Sequence, residues 1–108
     1  MKLLLELDGA VIFGGGRVAL FLAIEETGSI LQASKKLKMS YRAAWGKIKA
    51  TEDRLGVMLV QRRPGGSHGG AELTPEGRYL LMRFKEYSQE ILTANDSAFS
   101  DFFLPPNP

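Results

Sequence analysis

Apolar and polar positions along this chain change period, from two near the N-terminus to between three and four through its centre. In residues 2–13, KLLLELDGAVIF, Leu3, Leu5 and Leu7 share one face of an extended segment. Asp8 and Gly9 fall between two apolar runs, where a two-residue type I′ turn demands positive φ, so the segment reads as a β-hairpin. An isolated hairpin is marginal in water, so this one must lie on the body of the protein or on a partner. From 17 to 27 the pattern becomes helical, with Val18, Phe21 and Leu22 on one side and Leu20 and Ile24 beside them. Gly28 supplies a stop. Ser29, with Gln32 three residues later, forms a capping box that opens a helix over 29–37, apolar at Ile30, Ala33 and Leu37 and polar at Gln32, Lys35 and Lys36. After a turn at Lys38 and Met39, Ser40 caps a third helix over 40–55. Its inward stripe is Tyr41, Ala44, Ile48, Thr51 and Leu55, and Arg42, Ala43, Lys47, Lys49 and Arg54 remain towards solvent.

Two capped helices joined by a short turn, the second basic on its outer face, have the proportions of a helix-turn-helix DNA reader. Gly56 ends the second helix and Val57 to Val60 begin a strand, followed by a glycine-rich loop and a return strand at Ala71 to Leu73. Residues 57–73 thus read as the β-hairpin wing of a winged helix, with Arg62 and Arg63 at its base and His68 at its tip, a candidate DNA contact or a bystander. Thr74 and Pro75 then announce a helix over 74–95, because a threonine cap and a proline in the first turn both suit a helix start. Leu80, Phe84, Tyr87 and Ile91 repeat along it at four, three and four, more stripe than one small core can cover. Those four positions are expected to pair with a second copy of the chain, making this a dimerisation helix. The tail, 96–108, carries Phe99, Phe102 and Phe103, either packed onto the body or left unpacked. The expected fold class is mainly α with small β, a winged helix-turn-helix with an N-terminal hairpin, a wing hairpin and a long C-terminal helix.

At 108 residues and 44 % hydrophobic content the chain suits one globular domain. It has no cysteine, which excludes disulfides, thiolate nucleophiles and thiolate-held metal. Met1 to Leu5 is too short for a signal segment and no apolar run reaches a membrane span, so a cytoplasmic location and no membrane partner are expected. The net charge of +2 conceals a division: residues 29–71 carry nine basic side chains against two acidic, a net of +7, and the remainder five against ten. A positive lobe on an acidic body is the electrostatic footprint of a surface that meets phosphate. Catalytic chemistry finds no support, since His68 is the sole histidine and stands in a glycine-rich loop, a poor platform for a positioned base. Glu25 with Glu26, and Glu52 with Asp53, are helix neighbours that diverge by about 100° and read as surface charge. No enzyme, no metal site and no cofactor are expected. Gly14 to Gly16 before Arg17 offers a weak oxyanion-loop reading, without the lysine and hydroxyl residue of a phosphate loop; a flexible joint explains it better.

The run from Asp8 to Leu92 resembles the N-terminal DNA-binding domain of the ModE family of molybdate-responsive transcription regulators, and more remotely the LysR-type winged helix. The resemblance rests on GSI followed by SYRAAW, on the LG that ends the third helix, and on the glycine-rich wing around Ser67 and His68 leading into LTPEG. It implies a dimeric regulator on a palindromic operator in double-stranded DNA, with Ser40, Tyr41, Arg42 and Ala43 opening the recognition helix, Lys47 one turn further and Arg62 and Arg63 at the wing base. Trp45 matches the family tryptophan and is expected to pack against neighbouring helices rather than contact phosphate. The chain stops at Pro108, short of the molybdate-binding domains of the full-length family, so a stand-alone DNA-binding form is expected and molybdate binding by it is not. Within that reading Arg42 suits a bidentate contact to guanine, and Lys35, Lys36 and Lys49 suit phosphates. The alternative class is a winged-helix module that binds protein, which would show an exposed apolar patch in place of a basic lobe.

Overall fold

The computed structural model describes residues 3–7, 9–64 and 70–106. In chain order the elements are β1 (Leu5–Leu7), β2 (Ala10–Phe13), α1 (Gly15–Thr27), α2 (Ile30–Lys36), α3 (Tyr41–Leu55), β3 (Val60–Arg62), β4 (Ala71–Leu73) and α4 (Pro75–Phe103). Two antiparallel ribbons flank the helices, β1 with β2 and β3 with β4.

Leu7 pairs with Ala10 across the first turn, where Gly9 holds φ 79, the left-handed geometry that a two-residue turn requires; Asp8 and Lys2 lie outside the described residues. This hairpin lies on the body of its own chain. Phe13 is buried, stacks on Phe84 of α4 at 5.4 Å between ring centres and meets Phe21 of α1 edge-on at 6.3 Å. Around that aromatic knot the core gathers Leu20, Ala23 and Ile24 from α1, Ala33 from α2, Ala44 and Ile48 from α3, Leu59, Val60, Ala71 and Leu73 from the wing, and Leu81 from α4.

The helix boundaries follow local chemistry. Gly28 and Gly56 both adopt left-handed φ, 70 and 72, and close α1 and α3 through backbone bonds to Ile24 and Glu52. Ser29, Ser40 and Thr74 each accept a backbone N–H three residues on, from Gln32, Ala43 and Gly77. The capping box at Ser29 has a different second half: its backbone N–H donates to Thr27 Oγ1 at 3.3 Å. The turn between α2 and α3 passes through Lys38 at φ 58, held by backbone bonds from Lys38 to Lys35 and from Met39 to Ser34.

Three boundaries and one inward position depart from the sequence reading. Helix α1 starts at Gly15 rather than 17. The wing strand starts at Val60, not Val57, because the chain leaving the left-handed Gly56 spends Val57 and Met58 as an exposed link. Tyr41, assigned to the inward stripe, is exposed; the buried run of α3 begins at Ala44. Helix α4 runs to Phe103, well beyond 95. Nothing between Asp96 and Phe103 breaks a helix, and the stop comes at Leu104, which Pro105 forces into extended backbone at ψ 143. From Thr93 to Pro106 only Asn95 is even half-buried, so the end of α4 projects from the body with the aromatic tail on it.

Candidate nucleic-acid interface

The N-terminal end of α3 stands free of the core. Ser40 Oγ is committed to the Ala43 N–H at 3.0 Å, which fixes the direction of the helix and leaves Tyr41, Arg42 and Ala43 exposed in its first turn. Tyr41, Arg42 and Trp45 line a shallow depression on this surface. Trp45, expected to pack inward, is 47 % exposed. It lies one position off the buried track of Ala44, Ile48 and Thr51, and about 100° of helix rotation turns its ring out of the core. Lys49 reaches back over that ring, its Nζ 5.8 Å from the centroid, and also lies 3.8 Å from Glu52 Oε1. Lys47 and Lys49 are half-buried rather than free.

On α2, Lys35 and Lys36 are both exposed, and Lys36 is ion-paired with Glu26 of α1. Strands β3 and β4 pair Val60 with Leu73, Gln61 with Glu72 and Arg62 with Ala71, and Gln61 donates to Glu72 Oε1 at 3.0 Å. Arg62 and Arg63 are exposed at the wing base. The Arg63 guanidinium folds onto the turn between α1 and α2, where a Cβ added at Gly28 would come within 2.7 Å of Nη1. The wing tip, including His68, lies outside the described residues.

Two ties set the wing against the helix pair. Ala71 N–H donates to Gly28 O at 2.9 Å, so the return strand is sewn to the corner between α1 and α2. The second tie is Glu52, which the sequence reading left on the surface. It is buried, and its Oε2 accepts the N–H groups of Leu59 at 2.8 Å and Val60 at 3.2 Å. A buried carboxylate needs such donors, and the first strand residues of a two-stranded ribbon have N–H groups to give. The one sequence signal was its place beside Thr51 on the inward flank of α3. Glu25, also read as surface charge, accepts from Arg78 Nε at 2.7 Å and from Leu73 N at 3.4 Å, joining α1, β4 and the start of α4. The hydrogen bond from Arg78 holds the Glu25 carboxyl below its ordinary value, and partial burial opposes it.

Of the expected dimer positions, Phe84 is in the core of its own chain, Leu80 and Ile91 are half-buried and Tyr87 is exposed. Gly15 and Gly16, the first residues of α1, border an apolar groove with Leu3, Leu4 and Val18. Arg17 donates through Nε to Thr51 Oγ1 at 2.9 Å; burial, then the nearby Arg54 charge, push its pKa down. Among the described residues no helix is long and apolar enough to cross a membrane.

The sequence is 43 % identical over 81 residues to the molybdenum-pterin-binding protein MopB of Rhodobacter capsulatus, a match covering 74 % of this chain and 30 % of that protein. It is 33 % identical over 106 residues to the DNA-binding transcriptional dual regulator ModE of Escherichia coli K12, covering 97 % of this chain and 40 % of ModE. The chain therefore spans well under half the length of these curated relatives, and the resemblance to ModE-type regulators expected from SYRAAW and the wing is present. The fold is similar to the DNA-binding domain of CbnR solved as a DNA complex, with TM-score 0.62, 28 % identity, and coverage of 80 % of this chain and 94 % of that one. Residues 16–78, which hold the helix pair, the wing and the start of α4, match the model of the bacterial regulatory helix-turn-helix proteins of the lysR family, and to that family the chain belongs.

Proposed function

We propose that this protein is a DNA-binding transcription regulator of ModE type that binds a palindromic operator as a dimer, in the cytoplasm and without enzymatic activity, and that serves molybdenum metabolism. The observation that carries this reading is the exposed first turn of α3, with Tyr41, Arg42 and Ala43 unclaimed by the core, set beside a wing held to the same frame by Glu52 and Gly28. An α-helix fits the major groove, and its leading turn reaches base edges first. Arg42 is the guanine reader, and Lys35, Lys36, Arg62 and Arg63 neutralise phosphate. Lys47 and Lys49 border the same face. The half-buried and exposed apolar positions of α4, Leu80, Tyr87 and Ile91, supply the contact with a second copy, and Phe84 supports them from the core.

Similarity to a protein named for binding a molybdenum-pterin supports the metabolic assignment. Within residues 1–108 no oxyanion site is proposed, because Gly15 and Gly16 border an apolar groove and Arg17 is bonded to Thr51.

The test is the salt dependence of binding to duplex DNA. A dimer that neutralises about eight phosphates gives a log–log slope of roughly −7. A slope near zero, with binding retained, would remove the basic surface as the contact, and no duplex binding even at low salt would point to the protein-interaction class instead.

A further inference from the structure

We infer that Tyr41 and Trp45 form a two-ring seat for thymine methyl groups beside the base pair that Arg42 reads, so that this helix selects T·A pairs by apolar contact as well as G·C pairs by hydrogen bonding. The inference rests on the DNA-reading assignment of α3 and deepens it. Tyr41 is 49 % exposed and Trp45 47 % exposed, and both project from a capped, rigid helix instead of a loop. Neither ring contributes to the core, whose α3 members are Ala44 and Ile48. They stand one turn apart and, with Arg42, line a shared depression.

A surface this small and this apolar, bordered by cations, needs a partner that offers a compact apolar group within an anionic setting. A protein partner would require a far larger continuous patch. On the major-groove edge of the base pairs, the one apolar group is the thymine C5-methyl. The two side chains spring from backbone positions about 6 Å apart along the helix axis, against a rise of about 3.4 Å per base pair, so they address one or two adjacent pairs. Lys49 Nζ lies 5.8 Å from the centroid of the Trp45 ring, a cationic neighbour beside the seat.

The experiment replaces each thymine of a selected half-site, one at a time, with deoxyuridine, which removes the methyl and leaves every hydrogen-bonding group in place. Wild-type protein should lose affinity about fourfold at one or two positions next to the Arg42 guanine, the worth of one buried methyl group. Tyr41→Ala and Trp45→Ala should each bind more weakly and no longer distinguish the two bases, whereas Tyr41→Phe, which keeps the ring, should distinguish them as wild type does. Circular dichroism and the salt slope, unchanged in these exposed-site variants, show that the fold and the phosphate contacts persist. Specific binding that is indifferent to uracil at every position overturns the methyl seat and leaves the DNA-reading assignment standing. A uracil effect that survives in both alanine variants also overturns it. Failure to bind any duplex overturns both.

Discussion

Glu52 and Leu59 face each other across the corner where the third helix gives way to the wing, the carboxylate accepting the Leu59 N–H at 2.8 Å and the neighbouring Val60 N–H at 3.2 Å. One side chain thereby sets the angle between two elements that must reach the same duplex. Glu52→Ala leaves both N–H groups buried and unpaired, and should cost about 2–4 kcal/mol of folding stability. Glu52→Gln keeps one acceptor and should cost less. Denaturant unfolding measures both, and equal losses in the two variants would show that an amide of the same shape cannot stand in for the carboxylate.

Two helix glycines should respond to alanine in opposite directions. A Cβ at Gly77 would lie 2.4 Å from Leu59 O, at the tight seam of α4 against the wing, so Gly77→Ala should destabilise by about 1–3 kcal/mol despite alanine's better helix propensity. At Gly46, on the outer face of α3, an added Cβ meets nothing within 4 Å. Gly46→Ala should therefore stabilise by about 0.5–1 kcal/mol in thermal unfolding. It should also weaken duplex binding, since the methyl enters the space a groove wall would occupy.

The Glu25 carboxyl is held below its ordinary value by its hydrogen bond from Arg78. A depressed carboxylate contributes stability at pH above its unfolded value and loses that contribution as pH falls through the lower, folded one. Wild type should thus exceed Glu25→Gln in stability at pH 7, with the gap closing in the acid range below the ordinary carboxyl value of 4.5. Partial exposure screens the pair, so the gap should be no more than about 1 kcal/mol. A gap that widens on acidification would contradict this assignment.

Lys36 is paired with Glu26 on the surface proposed to meet phosphate. Removing the acid should free the cation at little cost, because exposed pairs contribute about 0–1 kcal/mol. Glu26→Gln should tighten duplex binding roughly two- to fivefold at low ionic strength, with the advantage fading at high salt as screening grows. Titrations at two salt concentrations decide it; unchanged affinity at low salt would place Lys36 away from the backbone.

Most of the fold was legible in the chain because its signals are local. Glycines at 28 and 56, hydroxyl caps at Ser29, Ser40 and Thr74, and the apolar spacing between them fix the helices from within a few residues. What escaped depends on distant partners. Glu52 reads as surface charge until the wing strand arrives to donate to it, and Gly77 as an ordinary helix residue until Leu59 lies against it. Trp45 has the composition of a core residue and the phase of a surface one, and phase decided. The extra reach of α4 was visible as the absence of any breaker before Pro105, in a stretch that the sequence reading set apart as a tail.

The most direct test selects binding sites from a random duplex pool with wild-type protein and with Arg42→Ala. Wild type should recover paired half-sites whose centres lie about 34–36 Å apart, each with a preferred guanine, and Arg42→Ala should lose that guanine while keeping the spacing, at a cost of about 1–3 kcal/mol in affinity. Recovery of the same motif by both proteins, or of no motif by wild type, would contradict the assignment of α3 as the element that reads DNA.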